Sequence, residues 1–221
     1  MHCITEKFRH SSWRILIGAL AIAVATTTAA TSAEDKAAEA PATAQVGKPA
    51  PDFTLLDQAG VKQTLSAYRG KVVVLEWFNP GCPFVKRHYT AKTMTDLQKK
   101  YGSDKLVWLR VNSTNKDHRD YLTDSGTTAW LVAEKVTGPS LSDADGAVGR
   151  LYGAKTTPHM FIVDQAGLLV YSGSIDNDPR GSLAADKRVN YVDLALTSWK
   201  AGKDIPPTAN DPYGCGVKYK Q

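Results

Sequence analysis

Continuous apolar runs alternate with amphipathic stretches along the central part of this 221-residue chain. Val72–Leu75 is wholly apolar, and Leu106–Val111 is a second run with the character of a β-strand. Such runs are typical of strands buried on both faces. Between them, Asn79–Gly81 (Asn-Pro-Gly) is a strong turn signal, and apolar residues from Pro83 to about Tyr101 recur at helical spacing. The pattern predicts a strand, a turn, a helix that begins at Pro83, and a second strand.

Shorter elements surround this unit. Strands are predicted on both sides of the turn at residues 57–60 and in a hairpin around residues 164–167, and three further helices follow from apolar spacing. The strands are Pro51–Leu56, Val61–Leu65, Met160–Val163 and Leu168–Tyr171, and the helices lie around Thr127–Val136, Ala144–Tyr152 and Tyr191–Trp199. This order indicates an α/β fold: a central mixed sheet flanked by helices, with the first two strands as an N-terminal extension.

The first 33 residues have the organisation of a secretory signal peptide. A basic segment (1–14) precedes the apolar block Ile15–Ala25, and Thr31–Ala33 is a cleavage site of small residues. An uncleaved anchor is the alternative, but the strongly apolar part is shorter than the ~20 residues that a membrane span needs. We therefore expect cleavage and export, most simply to the periplasm, with no membrane attachment of the mature chain.

The remaining chain divides into three parts by composition. Residues 34–50 are rich in Ala, Pro and charge and predict a flexible leader. Residues 51–203 carry the predicted strands and helices and form one domain with a sizeable core. Residues 204–221 form a C-terminal tail that contains Cys215. Such a tail has little core of its own, so it is either tied down or mobile.

Composition and charge exclude several classes of protein. The chain is 43% hydrophobic and 22% charged, as is usual for a soluble globular protein. The net charge is +5, and it falls to +3 without the first 33 residues, where 24 basic face 21 acidic residues. This mild, scattered charge predicts no nucleic-acid partner.

The cysteine count bears on redox chemistry. Cys3 precedes the apolar block and leaves with the signal peptide, so the mature chain keeps Cys82 and Cys215. In an oxidising compartment these two form a structural disulfide, a redox pair, or two unrelated thiols. The sequence has no Cys-x-x-Cys motif and no cysteine set for structural zinc. Although His88 and His159 lie near the other motifs, we expect no metal and no bound cofactor.

Cys82 stands where reactive groups occur in α/β folds, between the end of a buried strand and the start of a helix. The N–H groups of the first helical turn stabilise a thiolate and lower its pKa. Lys86, four residues on, lies on the same predicted helix face and adds positive charge. The alternative is an inert cysteine in the core.

Three segments resemble the thioredoxin-fold redoxins, which include AhpC/TSA-type peroxiredoxins and bacterial thiol–disulfide reductases. They are GKPAPDFTL, RGKVVVLEWFNPGCP and YGAKTTPHMFIVDQAG, and the resemblance extends from Gly47 to Lys200. The tail sequence TANDPYGCGVKY is similar to the end of peroxiredoxin-like bacterial redoxins that carry CPF-V-K-x-H-Y after the strand. The resemblance implies a thioredoxin-like fold and cofactor-free thiol chemistry.

The resemblance places Cys82 on the reactive cysteine that thioredoxins and peroxiredoxins share. Thioredoxins have their second cysteine where this chain has Val85. Peroxiredoxins have Thr or Ser where this chain has Asn79, Pro where it has Leu75, and an arginine near Pro158 that is absent here. The chain therefore lies between the two groups, and neither a dithiol thioredoxin nor a full peroxidase is implied.

Two further positions take roles from the resemblance. Thr157-Pro158 matches the loop that holds a cis-proline against the reactive sulfur, and the backbone before this proline is expected to be free to pair with an extended substrate. Glu76 matches the buried acid beneath the thioredoxin site, where a raised pKa suits a proton relay. A glutamate at a strand edge facing water is the alternative.

The resemblance implies a thiol oxidoreductase with an antioxidant role. Cys82 would attack a peroxide or a protein disulfide, and an external thiol reductant would restore it. Because the chain lacks a local second cysteine, Cys215 is the candidate for a disulfide with Cys82; the alternatives are a structural role or pairing between subunits. A function of another class stays open: a binding module without enzymatic activity, stapled by a permanent Cys82–Cys215 disulfide.

Overall fold

A computed structural model describes residues 43–221, so the predicted signal peptide lies outside the described residues. The strands of this part are β1 Thr54–Asp57, β2 Lys62–Thr64, β3 Val72–Trp77, β4 Leu106–Asn112, β5 Ser140–Ser142, β6 Thr156–Thr157, β7 His159–Val163, β8 Leu169–Gly173, β9 Thr208–Ala209 and β10 Cys215–Gly216. The helices are α1 Pro83–Thr90, α2 Thr93–Tyr101, α3 Asp124–Ala133, α4 Ala147–Leu151 and α5 Tyr191–Lys200.

The apolar runs form the centre of an eight-stranded sheet with the order β2-β1-β5-β4-β3-β7-β8-β9. Strand β3 is buried along its whole length; it pairs in parallel with β4 and antiparallel with β7. The expected mixed sheet flanked by helices is confirmed. Strands β1 and β2 form the N-terminal extension, which joins the sheet through β5.

Alternate residues of β3 supply two separate cores, one on each face of the sheet. Val72 and Val74 belong to the larger core, together with apolar residues of α1, α2, α3 and α5. Val73 and Leu75 belong to the second core, which α4 and the N-terminal extension cover. Burying each such side chain stabilises the fold by about 1.5–3 kcal/mol. The same alternation directs Glu76 into the larger core, towards α1.

The single helix predicted for residues 83–101 is two helices. Helix α1 ends at Thr90 and α2 begins at Thr93, because Lys92 between them has a φ of 60°. A residue in the left-handed conformation interrupts the hydrogen bonding of an α-helix. Glycine is the usual residue in this conformation, and because the chain has lysine here the sequence gives no sign of the break. Both helices still bury their apolar residues in the same core.

The end of the predicted leader is part of the folded structure. Ala44 donates a backbone hydrogen bond to Leu151, and Gly47 donates one to Leu169. Ala50 is buried and bonds to Gly167. Backbone carbonyls of α4, of β8 and of the turn before β8 thus accept the N–H groups of this segment. Residues 43–50 are therefore bound to the domain and do not form a flexible spacer.

The C-terminal tail also joins the sheet structure. Strand β9 extends the main sheet by pairing in parallel with β8. Strand β10 pairs antiparallel with β6 and forms a separate two-stranded sheet with it. The tail thus returns to the domain next to the loop before Pro158. No helix in the described part of the chain has the length and apolar character of a membrane span.

Candidate active site

A tight turn places Cys82 at the corner between β3 and α1. The backbone N–H of Cys82 donates to the carbonyl of Asn79 at 2.9 Å, and the N–H of Gly81 donates to the Asn79 side-chain oxygen at 2.7 Å. Pro83 follows as the first residue of α1, where its missing N–H costs nothing. The buried Asn79 therefore fixes the corner, and Cys82 is the N-cap of α1.

Asp120 completes this corner and has no signal in the sequence. The amide of Asn79 donates to its carboxylate at 3.2 Å. A β-carbon at Gly81 would overlap the same carboxylate, so the turn has room only for glycine. Asp120 comes from an irregular polar segment between β4 and α3. No spacing pattern connects such a residue with the cysteine 38 positions earlier.

The structure brings Cys82, Thr157, Pro158 and Cys215 together. The Cys82 side chain is 1% exposed, and its thiol donates to the Thr157 carbonyl at 3.0 Å. The Thr157–Pro158 peptide bond is cis, which confirms the expectation for this loop. On the other side of Thr157, β10 sets Cys215 directly opposite it in register. Both cysteines are free thiols.

The two thiols have opposite pKa shifts. Burial raises the pKa of Cys82, but the Cys215 thiol, the backbone N–H of Val85 in the first turn of α1 and the Thr157 hydroxyl stabilise the anion. Their combined effect holds the pKa of Cys82 below its ordinary value. Burial and the neighbouring Cys82 sulfur raise the pKa of Cys215 to about 11. The site is therefore arranged for a Cys82 thiolate next to a protonated Cys215.

Lys86 does not contribute to this arrangement. Its side chain is exposed on α1, and it is absent from the groups that shift the pKa of Cys82. The expectation that its charge stabilises the thiolate therefore gains no support from the structure and stays a prediction. A lysine ammonium is strongly hydrated, and at an exposed position water and salt screen its charge.

Glu76 is fully buried, so the alternative of a water-facing glutamate is wrong. Its carboxylate accepts hydrogen bonds from the Tyr89 hydroxyl at 2.9 Å and from the Trp108 indole at 2.8 Å. Arg110 lies 3.9 Å from it and also donates to the Tyr89 oxygen. Burial raises the pKa of Glu76, while Arg110 and the two hydrogen-bond donors lower it.

Glu76 and its partners Tyr89, Trp108 and Arg110 lie at a distance from the Cys82 sulfur. Tyr89 follows Cys82 by two helical turns, about 10 Å along α1. The groups that shift the pKa of Cys82 do not include Glu76. The carboxylate therefore holds α1, β3 and β4 together beneath the site, and its role as a proton relay stays a prediction.

Tyr213 anchors the tail on one side of Cys215. Its hydroxyl donates to the carboxylate of Asp176, lies 3.0 Å from Nε2 of His88, and accepts from Arg87 at 3.3 Å. A β-carbon on the next residue, Gly214, would overlap the Thr157 carbonyl oxygen, so the tail backbone lies directly against β6. No sequence pattern connects Tyr213, Asp176 and Arg87, because they come from three distant segments.

A second set of contacts holds the tail beyond Cys215. The backbone N–H of Asn115 donates to the carbonyl of Lys218 at 2.9 Å. The hydroxyl of Tyr219 donates to the carbonyl of Ala154 at 2.8 Å, and Arg150 lies 4.6 Å from the centre of its ring. The tail is thus fixed on both sides of the cysteine.

The two nearby histidines are buried and uncharged. Burial lowers the pKa of His88 to about 4 and that of His159 to about 3. Among residues 43–221, no three His, Cys, Asp or Glu side chains are grouped to hold a metal ion. His88 instead serves the tail through its contact with Tyr213.

Comparisons with known proteins agree with this architecture. Residues 46–172 match the AhpC/TSA family. The chain is 30% identical over 125 residues to the thioredoxin-like protein YneN of Bacillus subtilis (strain 168), covering 57% of this chain and 69% of that protein.

Two solved structures are similar. A hypothetical protein from Sinorhizobium meliloti 1021 superimposes with a TM-score of 0.67 at 26% identity, covering 81% of this chain and 97% of that one. A putative thiol:disulfide interchange protein DsbE from Chlorobium tepidum gives a TM-score of 0.50 at 25% identity, covering 59% of this chain and 85% of that one. The expected thioredoxin-like fold is thereby confirmed.

Proposed function

The chain belongs to the AhpC/TSA family, and from this premise we propose that it is an exported thiol oxidoreductase in which Cys82 is the nucleophile and Cys215 the resolving thiol. The observation that carries the proposal is the placement of Cys215 on β10, opposite Thr157 and beside the Cys82 sulfur. A thiolate next to a protonated thiol is the arrangement that a reversible disulfide needs.

With a disulfide substrate, the Cys82 thiolate attacks one sulfur and the other leaves as a thiolate. Cys215 loses its proton to that leaving thiolate and attacks the Cys82 sulfur of the mixed disulfide. The second substrate sulfur leaves, the substrate is reduced by two electrons, and a Cys82–Cys215 disulfide remains. The similarity to a thiol:disulfide interchange protein supports this class of substrate.

With a hydroperoxide, the Cys82 thiolate attacks the terminal oxygen and the O–O bond breaks, so that an alcohol leaves after protonation. The product on Cys82 is a sulfenic acid. The Cys215 thiol then displaces water from it, and the same Cys82–Cys215 disulfide forms. The match to the AhpC/TSA family supports this class of oxidant.

In both cases an external thiol reductant reduces the disulfide and completes the cycle. The signal-peptide pattern in residues 1–33 supports export to an oxidising compartment. Asn79 and Pro158 position the Cys82 corner and the Thr157 carbonyl, and Thr157 stabilises the thiolate. Glu76 supports the site by holding α1 against β3 and β4. The cycle requires no bound cofactor.

Steady-state turnover tests the proposal. We use the Cys3→Ser chain, so that only the two relevant cysteines remain, with dithiothreitol as reductant and either hydrogen peroxide or a small aromatic disulfide as oxidant. The expected result is oxidant consumption above the uncatalysed rate with dithiothreitol, and Cys82→Ser should remove this excess. In Cys215→Ser without dithiothreitol, one equivalent of oxidant should react at Cys82 and the adduct should persist. A chain that consumes no oxidant and whose Cys82 resists oxidation would support the binding-module alternative.

A further inference from the structure

The edge of β6 next to Cys82 is occupied by the chain itself. The sequence led us to expect that the backbone before Pro158 is free for an extended substrate, and this expectation is wrong. Cys215 pairs with Thr157, and Gly216 pairs with Thr156, in an antiparallel ladder. A polypeptide that binds by strand addition needs a strand edge that is not already paired. Here the tail takes the place that a substrate strand would use.

The tail also closes the space above the sulfur. Cys82 is 1% exposed, whereas Cys215, which lies over it, is partly exposed. The Gly214 backbone lies so close to the Thr157 carbonyl that even a β-carbon has no room there. A second strand cannot enter between β10 and β6. A polypeptide must therefore displace the tail before it reaches Cys82.

Displacement of the tail would break contacts on both sides of Cys215. On one side the Tyr213 hydroxyl bonds to Asp176 and contacts His88. On the other side Lys218 and Tyr219 are held by backbone and side-chain hydrogen bonds. A small oxidant does not have to pair with β6, so its reaction does not require these anchors to break.

We propose that the tail segment 213–219 is a specificity element that restricts Cys82 to small oxidants, such as hydroperoxides and low-molecular-weight disulfides, and that Tyr213 is the positioning residue that keeps it closed. This inference rests on the proposed function, because it assumes a reactive Cys82. It adds that protein disulfides are excluded as direct substrates while the tail is docked.

Two probes with the same leaving group isolate the effect of substrate size. One is the mixed disulfide of thionitrobenzoate with 2-mercaptoethanol, and the other is the mixed disulfide of thionitrobenzoate with the cysteine of a short unstructured peptide. Both release the coloured thionitrobenzoate when Cys82 attacks. The protein carries Cys3→Ser and Cys215→Ser, so that Cys82 alone reacts, and the readout is the ratio of the two rate constants.

The variant Tyr213→Phe removes the anchoring hydroxyl and keeps the ring. Its matched control is Tyr191→Phe, because the Tyr191 hydroxyl makes no hydrogen bond within the described residues. A second variant, Gly214→Ala, pushes the tail away from Thr157 by overlap and does not depend on Tyr213.

With the tail intact, the small probe should react at least about tenfold faster than the peptide probe, the factor that one buried hydrogen bond supplies. Tyr213→Phe and Gly214→Ala should move the ratio towards one, mainly by accelerating the peptide, and Tyr191→Phe should leave it unchanged. Equal rates for both probes with the tail intact would overturn the inference and leave the proposed function standing. An unchanged ratio in both tail variants would also overturn it. Absence of reaction with either probe would instead contradict the proposed function.

Discussion

Short-range hydrogen-bond donors hold the pKa of Cys82 below its ordinary value. The groups that lower its pKa are the Cys215 thiol, the Val85 N–H, the Thr157 hydroxyl and the Cys215 N–H, and together they outweigh burial. The lowering of the pKa by the first turn of α1 was predictable, because Cys82 directly precedes a helix that begins with a proline. The lowering of the pKa by Cys215 was not predictable, because it depends on where the C-terminal tail lies.

This account predicts that the partner thiol sets part of the Cys82 pKa. Cys215→Ala removes a donor to the thiolate and should raise that pKa, since a hydrogen bond to a charged group stabilises the anion and better hydration offsets only part of the loss. Cys215→Ser retains a hydroxyl donor and should raise it less. The measurement is the pH dependence of Cys82 alkylation by iodoacetamide, followed by mass spectrometry.

Lys86→Glu is the matched control for that experiment. Its side chain is exposed and does not stabilise the anion, so the alkylation profile should stay within about twofold of the parent rate, the range expected for an exposed, screened charge. A large shift from Lys86→Glu would show that long-range charge governs the pKa of Cys82. An unchanged pKa in Cys215→Ala would contradict the role of the Cys215 thiol as a donor.

Helix α1 connects the reactive corner with the tail anchor. It begins at Cys82, and its second half carries His88, which contacts Tyr213. Burial lowers the pKa of His88 to about 4; Asp176 opposes this shift, Arg87 and Arg188 reinforce it, and Asp178 opposes it. The histidine is therefore neutral in the folded protein and acts there as a hydrogen-bonding group.

The low pKa of His88 predicts a pH-dependent stability. The unfolded chain binds a proton at His88 below about pH 6.5, whereas the folded chain does so only below about pH 4. The contribution of His88 to stability is thus complete above this window and falls as the pH falls through it, by about 1.4 kcal/mol per unit. Urea unfolding of the parent chain and His88→Gln should show a difference that shrinks from pH 7 towards pH 5. A difference independent of pH would mean that His88 is solvated when folded.

Long apolar elements were predictable from the sequence, and short paired ones were not. The run Val72–Leu75 identified β3, and the hairpin of β7 and β8 followed from its turn. Strands β6, β9 and β10 have two residues each, too few for a hydrophobic period to show. The two-helix form of residues 83–101 depends on the left-handed Lys92, a conformation that lysine does not signal.

The folded unit includes more of the chain than the hydrophobic pattern indicates. Residues 43–50 lie along α4 and β8, and the tail pairs with β6 and β8, so that both flanking segments contribute backbone hydrogen bonds to the domain. These interactions use main-chain groups, which every sequence has, and therefore leave no compositional trace. The proposed function depends on one of them, because the pairing of β10 with β6 brings Cys215 next to Cys82.

The central claim is that Cys82 and Cys215 form a disulfide within one chain during turnover. The most direct measurement is peptide mapping without reduction, on the Cys3→Ser chain treated with one equivalent of hydrogen peroxide or of a small aromatic disulfide, with the remaining thiols alkylated. We expect a linked peptide pair in the monomer that contains Cys82 and Cys215 and is lighter by two hydrogens than the two free peptides. This pair should disappear after dithiothreitol. Two alkylated or separately oxidised cysteines, or linked peptides found only between chains, would contradict it.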